Sequence, residues 1–409
     1  MRLRSFGCTN YKAFKDSGTI EVRPLTLFFG RNNSGKSALM RLPRLILHAL
    51  SSGAPRNGFP LQVEGLSYGR VFRDVIHGGI PHGFASFHVC LEDEDLGRLD
   101  LTAKVQNVQR ALPRPGESSE FTVVSEWELR SPSVRTLMWE PAQGRTPHYR
   151  DVGALAFRGL MPEPRGDWAF LEPWRAQIEE FEERGTHLGP IRATARPTYE
   201  AASPKSLGLE GEEAAGWLLH DKALLDQVSA WLENHLDGWR LSLDQAGSAF
   251  HCTLSRGLIT VNLSDAGQGM QQVLPVVIQQ LLHVKSEQSF LSLVEQPELH
   301  LHSSAQAPLA DLFLETAKQR RGAVLVETHS ENILLRVRRR IAEGEKGIDP
   351  DLVSLYWVDE RPEGYSVVQR INIDKDGEVD TWPSGVFSEG YEEVKALRRA
   401  ARARHERPK

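Results

Sequence analysis

The chain has 409 residues, 40% hydrophobic and 25% charged, the composition of an ordinary globular protein with room for two or three domains. A net charge of −5 advertises no global attraction to nucleic acid, and no apolar run is long enough to span a bilayer, so no membrane role is expected. Three widely separated cysteines (Cys8, Cys90 and Cys252) form no metal-binding spacing and suit a reducing compartment, and the N-terminus carries no secretory pattern, so a cytoplasmic protein with buried thiols is expected.

In chain order, residues 1–29 read as strands: Leu3–Phe6, Thr19–Val22 and Leu25–Phe29. Tyr11 and Phe14 lie between the first two, placed either to pack in the core or to stack on a base; core packing is the simpler reading. The apolar run ending at Phe29 feeds Gly30-Arg31-Asn32-Asn33-Ser34-Gly35-Lys36-Ser37, which fits the phosphate-binding pattern G-x-x-x-x-G-K-[ST] at every fixed position. A helix follows from Ser37 through Ala38 to about Leu50. Strand, glycine loop and helix are the context this pattern needs. Gly30 and Gly35 permit the tight turn that aims backbone N–H groups at phosphate oxygens, and the helix N-terminus adds partial positive charge. Lys36 is placed to reach the β- and γ-phosphates of ATP, and Ser37 to ligate Mg²⁺.

Residues 55–180 read as a short glycine-closed helix over 71–79 and then a mostly β segment, with strands at Ala85–Leu91, Leu99–Val105 and Phe121–Leu129 broken by Pro- and Gly-rich joints. Its tryptophans, Trp168 and Trp174, read as core. Arg192, in Leu188-Gly189-Pro190-Ile191-Arg192, is suited equally to a phosphate or partner contact and to a surface ion pair. Two amphipathic helices (Ala214–Leu219, Leu224–Leu236) and a hairpin turning at Arg256-Gly257 follow.

A second glycine loop, Ser264-Asp265-Ala266-Gly267-Gln268-Gly269, opens a helix; alone it is also an ordinary helix cap. Close behind, the apolar run Phe290–Val294 ends in Glu295-Gln296-Pro297-Glu298, where Glu295 would hold the Mg²⁺ shell. Alternation along His300 and His302 would put both on one strand face, a weak metal pattern. A further buried strand, Ala323–Val326, ends in Glu327-Thr328-His329-Ser330, with His329 placed to contact a γ-phosphate. The remainder reads as an Arg-rich helix (Ile333–Ile341, with Arg336, Arg338, Arg339 and Arg340), strands Val353–Val358 and Ser366–Ile373, a turn at Asp374–Gly377, and a basic tail carrying Arg398, Arg399, Arg402, Arg404, Arg407 and Lys409. Those arginines suit nucleic acid or an acidic partner, though a solvated face is the simpler reading.

These motifs in this order resemble the ABC-type ATPases of the SMC and overcoming-lysogenization-defect branch, in particular a bacterial subgroup ending in a small domain of unknown function. The resemblance assigns Walker A to Gly30–Ser37, the signature to Asp265–Gly269 with Gln272–Pro275, Walker B and the D-loop to Glu295–His302, and the switch histidine to His329; Ile373–Gly377 with Trp382-Pro383 resembles the subgroup's tail. It implies an α/β P-loop NTPase of ABC/SMC-head type with a mostly β inserted lobe and a small α+β C-terminal region. The expected divisions are 1–80 (first half of the head), 81–185 (inserted lobe), 186–250 (helical linking subdomain), 251–345 (second half of the head) and 346–409 (C-terminal domain). It further implies ATP and Mg²⁺ as ligands and an ATP-dependent homodimer or larger homo-oligomer. In that dimer Ser264, Asp265, Gly267 and Gly269 meet the nucleotide of the opposite copy. Catalysis would fall to Lys36, Glu295, Gln296, Glu298 and His329. Many relatives carry a carboxylate where Gln296 stands; an amide orients water but takes no proton, so turnover is expected to be slow. Three roles follow: a switch subunit controlling a separate effector (a nuclease or toxin) in antiviral defence; a DNA-repair ATPase acting on nucleic acid; or a nucleotide-locked scaffold.

Overall fold

The computed structural model describes residues 1–56, 58–111, 118–131, 134–139, 156–164, 166–383 and 395–399. In chain order the strands and helices that build the site and its surroundings are β1 (Arg2–Tyr11), β2 (Phe14–Asp16), β3 (Ile20–Glu21), β4 (Leu25–Gly30) and α1 (Lys36–Leu50). Then come β5 (Phe84–Asp93), β6 (Gly97–Ala111), β7 (Ser118–Ser131), β8 (Val134–Trp139), α2 (Glu172–Glu183), β9 (Thr186–Leu188) and β10 (Tyr199–Glu200). They are followed by α3 (Ala214–His220), α4 (Lys222–His235), β11 (Arg240–Ala246), β12 (Ala249–Arg256), β13 (Ile259–Asn262) and α5 (Gln268–Lys285). The chain continues through β14 (Leu291–Glu295), α6 (Ser303–Lys318), β15 (Ala323–Glu327), α7 (Glu331–Ala342), β16 (Val353–Glu360) and β17 (Ser366–Ile371).

One sheet carries thirteen strands among the described residues, in the order β8-β7-β6-β5-β1-β2-β17-β16-β4-β15-β14-β9, with β3 on β1. Its centre, β16-β4-β15-β14-β9, is parallel, with Glu295 directly opposite Glu327 and Glu327 opposite Phe28. Every residue of Leu291–Glu295 and Ala323–Glu327 is buried, as expected of parallel strands covered on both faces. Alternation sorts their side chains into two cores. Phe28, Leu291, Leu293 and Leu325 pack with α1. Leu27, Phe29, Val294, Val324 and Val326 pack with α5, α6 and α7. The same period of two puts Glu295 and Glu327 on the α1 side.

Strands β5 to β8 match the β pattern read over 85–129 and extend this same sheet outward from β1. The segment is not all β. Phe72–Asp74 and His77–Gly79 are two 3₁₀ turns rather than one helix, and α2 was not anticipated, although Trp174, Ile178 and Phe181 bury a helical stripe. Tyr11 and Phe14 are fully buried and Trp174 nearly so, while Trp168 packs edge-on against Trp127. All three cysteines are buried free thiols. The C-terminal strands reach the heart of the fold: β16 pairs with β4 over Val353–Val358, and Trp357 and Trp382 both pack on Phe29.

No helix among the described residues is long and apolar enough to cross a membrane. Arg336 and Arg340 are paired with Asp311, Arg339 with Glu343, and Arg338 with Gly377 and Glu378, so this cluster is engaged with its own chain. Asp374 accepts the N–H groups of Asp376 and Glu378, the turn expected there. Arg398 and Arg399 are exposed; Arg402, Arg404, Arg407 and Lys409 lie outside the described residues.

Candidate functional site: a phosphate-binding loop at the strand ends

The loop between β4 and α1 is shaped by close backbone approaches. A Cβ on Gly30 would meet the Val358 carbonyl oxygen at 2.1 Å, and Gly35, at φ +88°, would press one on Ala13 and Phe14. Asn33 is also left-handed at φ +67°. Arg31, Asn32 and Asn33 form an exposed apex, Ser34 is buried, and Ala38 packs behind in the first turn of α1. The Lys36 ammonium is buried under this arch, donating to the carbonyls of Gly30 (3.1 Å) and Arg31 (2.6 Å). Burial lowers its pKa, against the pull of Glu327 and Glu298. A glycine-shaped loop with an exposed apex over a buried ammonium suits an anion of phosphate type.

Three carboxylates converge on the floor. Glu295 is held at both oxygens: Arg41, one helical turn beyond Ser37, forms a fork at 2.7 and 2.5 Å, and His187 adds a bond of 2.7 Å. Burial pushes the Glu295 carboxyl up, but His187 and Arg41 outweigh it and hold it below the usual range. Burial also lowers His187, so its neutral ring donates from Nε2 to this carboxylate. Glu327 lies beside the Ser37 hydroxyl, has a buried Oε2 without a partner, and is raised by burial. Glu298 accepts the His329 backbone N–H at 2.6 Å and is likewise raised by burial.

His329 is partly buried, and burial with the neighbouring Lys36 lowers it to about 4, so it is neutral at pH 7. Gln296 sits in a left-handed turn at φ +43°, its N–H bonded to the Glu327 carbonyl. Arg192 is neither a surface ion pair nor a phosphate contact. Its guanidinium is buried and donates to the carbonyls of Glu295 (2.6 Å) and Gln296 (3.5 Å), so it grips the backbone of this turn.

The structure thus brings together Gly30–Ser37, Glu295, Gln296, Glu298 and His329, and adds Arg41, His187, Arg192 and Glu327. Arg41 had a signal in the sequence, four residues after Ser37 on one helix face; Arg192 was singled out but for a different role, and His187 had none. The second glycine loop lies elsewhere. Ser264 bonds Asn262, Gly267 begins α5, and Asp265, Gly267 and Gly269 line an open groove of about 650 Å³ with His235, Trp239 and His300, whose lining includes no residue of the first loop. His300 and His302 are not on a strand. They lie in the turn after β14, at φ +63° for His300, and His302 caps α6. Among the described residues no cluster of three or more His, Cys, Asp or Glu is placed to hold a metal ion unaided. Ser37 beside the open Glu327 oxygen nonetheless fits Mg²⁺, which in such loops completes its shell with phosphate oxygens and water.

A glycine arch, a buried lysine and strand-end carboxylates on a parallel sheet define a P-loop NTPase of α/β class. Residues 241–334 match the family described as an AAA ATPase domain, and residues 348–397 match the family described as a protein of unknown function (DUF3696). Both matched segments lie in the second half of the chain and together span less than half of it. No curated protein matches it. Among solved structures it is similar to the SMC head domain from Thermotoga maritima (13% identity, 91% of this chain and 100% of that one, TM-score 0.44). It is also similar to an SmcHead bound to the C-winged helix domain of ScpA (15%, 92% and 99%, 0.47). A third similar structure is an Smc head domain with an extended coiled coil bound to the C-terminal domain of ScpA derived from Pyrococcus furiosus (13%, 97% and 99%, 0.44).

Proposed function

We propose that this chain is an ATP-driven switch: it binds Mg·ATP in the Gly30–Ser37 loop, pairs with a second copy across the nucleotide, and hydrolyses it slowly. The observation that carries this is the Lys36 ammonium, buried and held by two loop carbonyls beneath an open arch. A γ-phosphate entering the arch offers that ammonium a charged acceptor in place of the carbonyls, a stronger hydrogen bond. Bound Mg²⁺ would supply charge neutralisation for the phosphates; Ser37 and a strand-end carboxylate, Glu295 or Glu327, are the groups that would hold it. The neutral His329 ring donates one N–H to the γ-phosphate without adding charge.

Water activation falls to Glu298. Gln296 takes no proton, whereas burial lifts Glu298 toward the pKa a general base needs near neutral pH. The pairing reading is supported by the separation of Ser264, Asp265, Gly267 and Gly269 from the P-loop. Of these, Asp265, Gly267 and Gly269 line an open groove that a nucleotide of another copy could enter. Control of a separate nuclease or toxin in antiviral defence rests on the family resemblance.

Steady-state ATP hydrolysis tests this reading. The wild type turns over slowly; Lys36→Ala and Glu298→Gln each lose about 100-fold or more, and Gln296→Glu gains little. A wild type that holds ATP without turnover and is activated by Gln296→Glu establishes instead the nucleotide-locked scaffold, which the amide at Gln296 favours.

A further inference from the structure

Two carboxylates stand at matched positions on adjacent strands, Glu295 on β14 and Glu327 on β15, both facing α1. Only one of them is free to meet a cation. We propose that Glu327, rather than Glu295, is the protein carboxylate that faces the Mg²⁺ of bound Mg·ATP; this rests on the ATPase reading above.

Position favours Glu327. β15 lies between the P-loop strand β4 and β14, so Glu327 is one strand nearer the loop, opposite Phe28 and two residues short of Gly30. Chemistry favours it too. Both Glu295 oxygens are engaged, by the Arg41 fork and by His187, and Arg41 already neutralises its charge. To ligate a cation Glu295 would have to give up a buried, charge-assisted fork. Glu327 has no such fork. Its side chain is buried, its Oε2 is without a partner, and the Ser37 hydroxyl lies against it. A buried carboxylate oxygen left open beside the P-loop serine is the donor pair that a hard, oxygen-seeking cation requires. Arg41 and His187 then act as anchors that keep Glu295 out of the shell and fix the turn carrying Gln296.

The test uses the full chain and a non-hydrolysable ATP analogue, with affinity measured in Mg²⁺ and in EDTA, and bound Mn²⁺ measured by electron paramagnetic resonance. The wild type gains affinity on adding Mg²⁺. Glu327→Gln loses that gain and binds Mn²⁺ with the analogue about 10- to 100-fold more weakly, while its affinity in EDTA is kept or improved. Glu327→Asp, which keeps the charge on a shorter arm, recovers part of the metal gain, and Glu295→Gln retains most of it. A Glu327→Gln protein with the full gain overturns the proposal while leaving the ATPase reading intact. Should Glu327→Gln fail to fold, an undiminished gain in Glu327→Asp overturns it equally. A wild type that binds the analogue in neither condition overturns both readings.

Discussion

Arg192 shows how a single side chain ties the active turn to the rest of the chain. Its guanidinium bonds the Glu295 and Gln296 carbonyls, while its own N–H and C=O are bonded by the Gln272 amide on α5. Arg192→Ala leaves buried carbonyls unpaired and a cavity behind them, and is expected to cost about 2–4 kcal/mol in urea unfolding. Arg192→Lys, which reaches one carbonyl rather than two, should cost less. An unchanged midpoint in Arg192→Ala would show that the turn holds itself. The residues proposed to bind phosphate were legible in the sequence because a P-loop is a local pattern: eight consecutive residues dictate it. The roles of Arg41, His187 and Arg192 were not, even where the residue itself stood out, because they depend on partners 254, 108 and 103 residues away.

At the scale of elements, legibility followed the same division. The runs Leu291–Glu295 and Ala323–Glu327 announce buried parallel strands by their own composition, and α5 is announced by the glycine break before it. The joining of β5 to β1 is a pairing across more than 70 residues, and no residue of either strand encodes which edge it will find. Helix α2 was hidden by its charged residues, though its buried side follows a helical spacing. Helix α5 carries a prediction of its own. His283 is buried against Phe290 at 4.0 Å between ring centroids, and its Nε2 meets the Thr186 hydroxyl at 2.8 Å. Gln279 donates to that hydroxyl, leaving it to donate to an unprotonated His283.

Burial lowers His283 from 6.5 to about 3. Between those values the unfolded chain binds more protons, so stability is lost as pH falls through 6.5 and goes on falling toward 3. At pH 5 the loss from His283 alone is about 2 kcal/mol, and His329, lowered to about 4, adds in the same direction. Unfolding midpoints at pH 7 and pH 5 should therefore separate, and His283→Gln should narrow the gap. An equal gap in that variant would remove His283 as the cause.

Across the whole molecule, the proposed dimer is the arrangement in which the two glycine loops would serve one nucleotide. The first loop has its lysine, carboxylates and histidine in place. The second presents the N-terminus of α5 to an open groove, with Gly269 so close to the His300 carbonyl that an added Cβ would stand 2.5 Å from it. The most direct measurement is sedimentation of the Glu298→Gln protein with Mg·ATP, with Mg·ADP and without nucleotide, beside the same protein carrying Gly269→Ala. The account predicts a dimer with ATP alone, and a monomer with ADP, without nucleotide, or with Gly269→Ala. A monomer under every condition, or a dimer indifferent to the γ-phosphate, would contradict it.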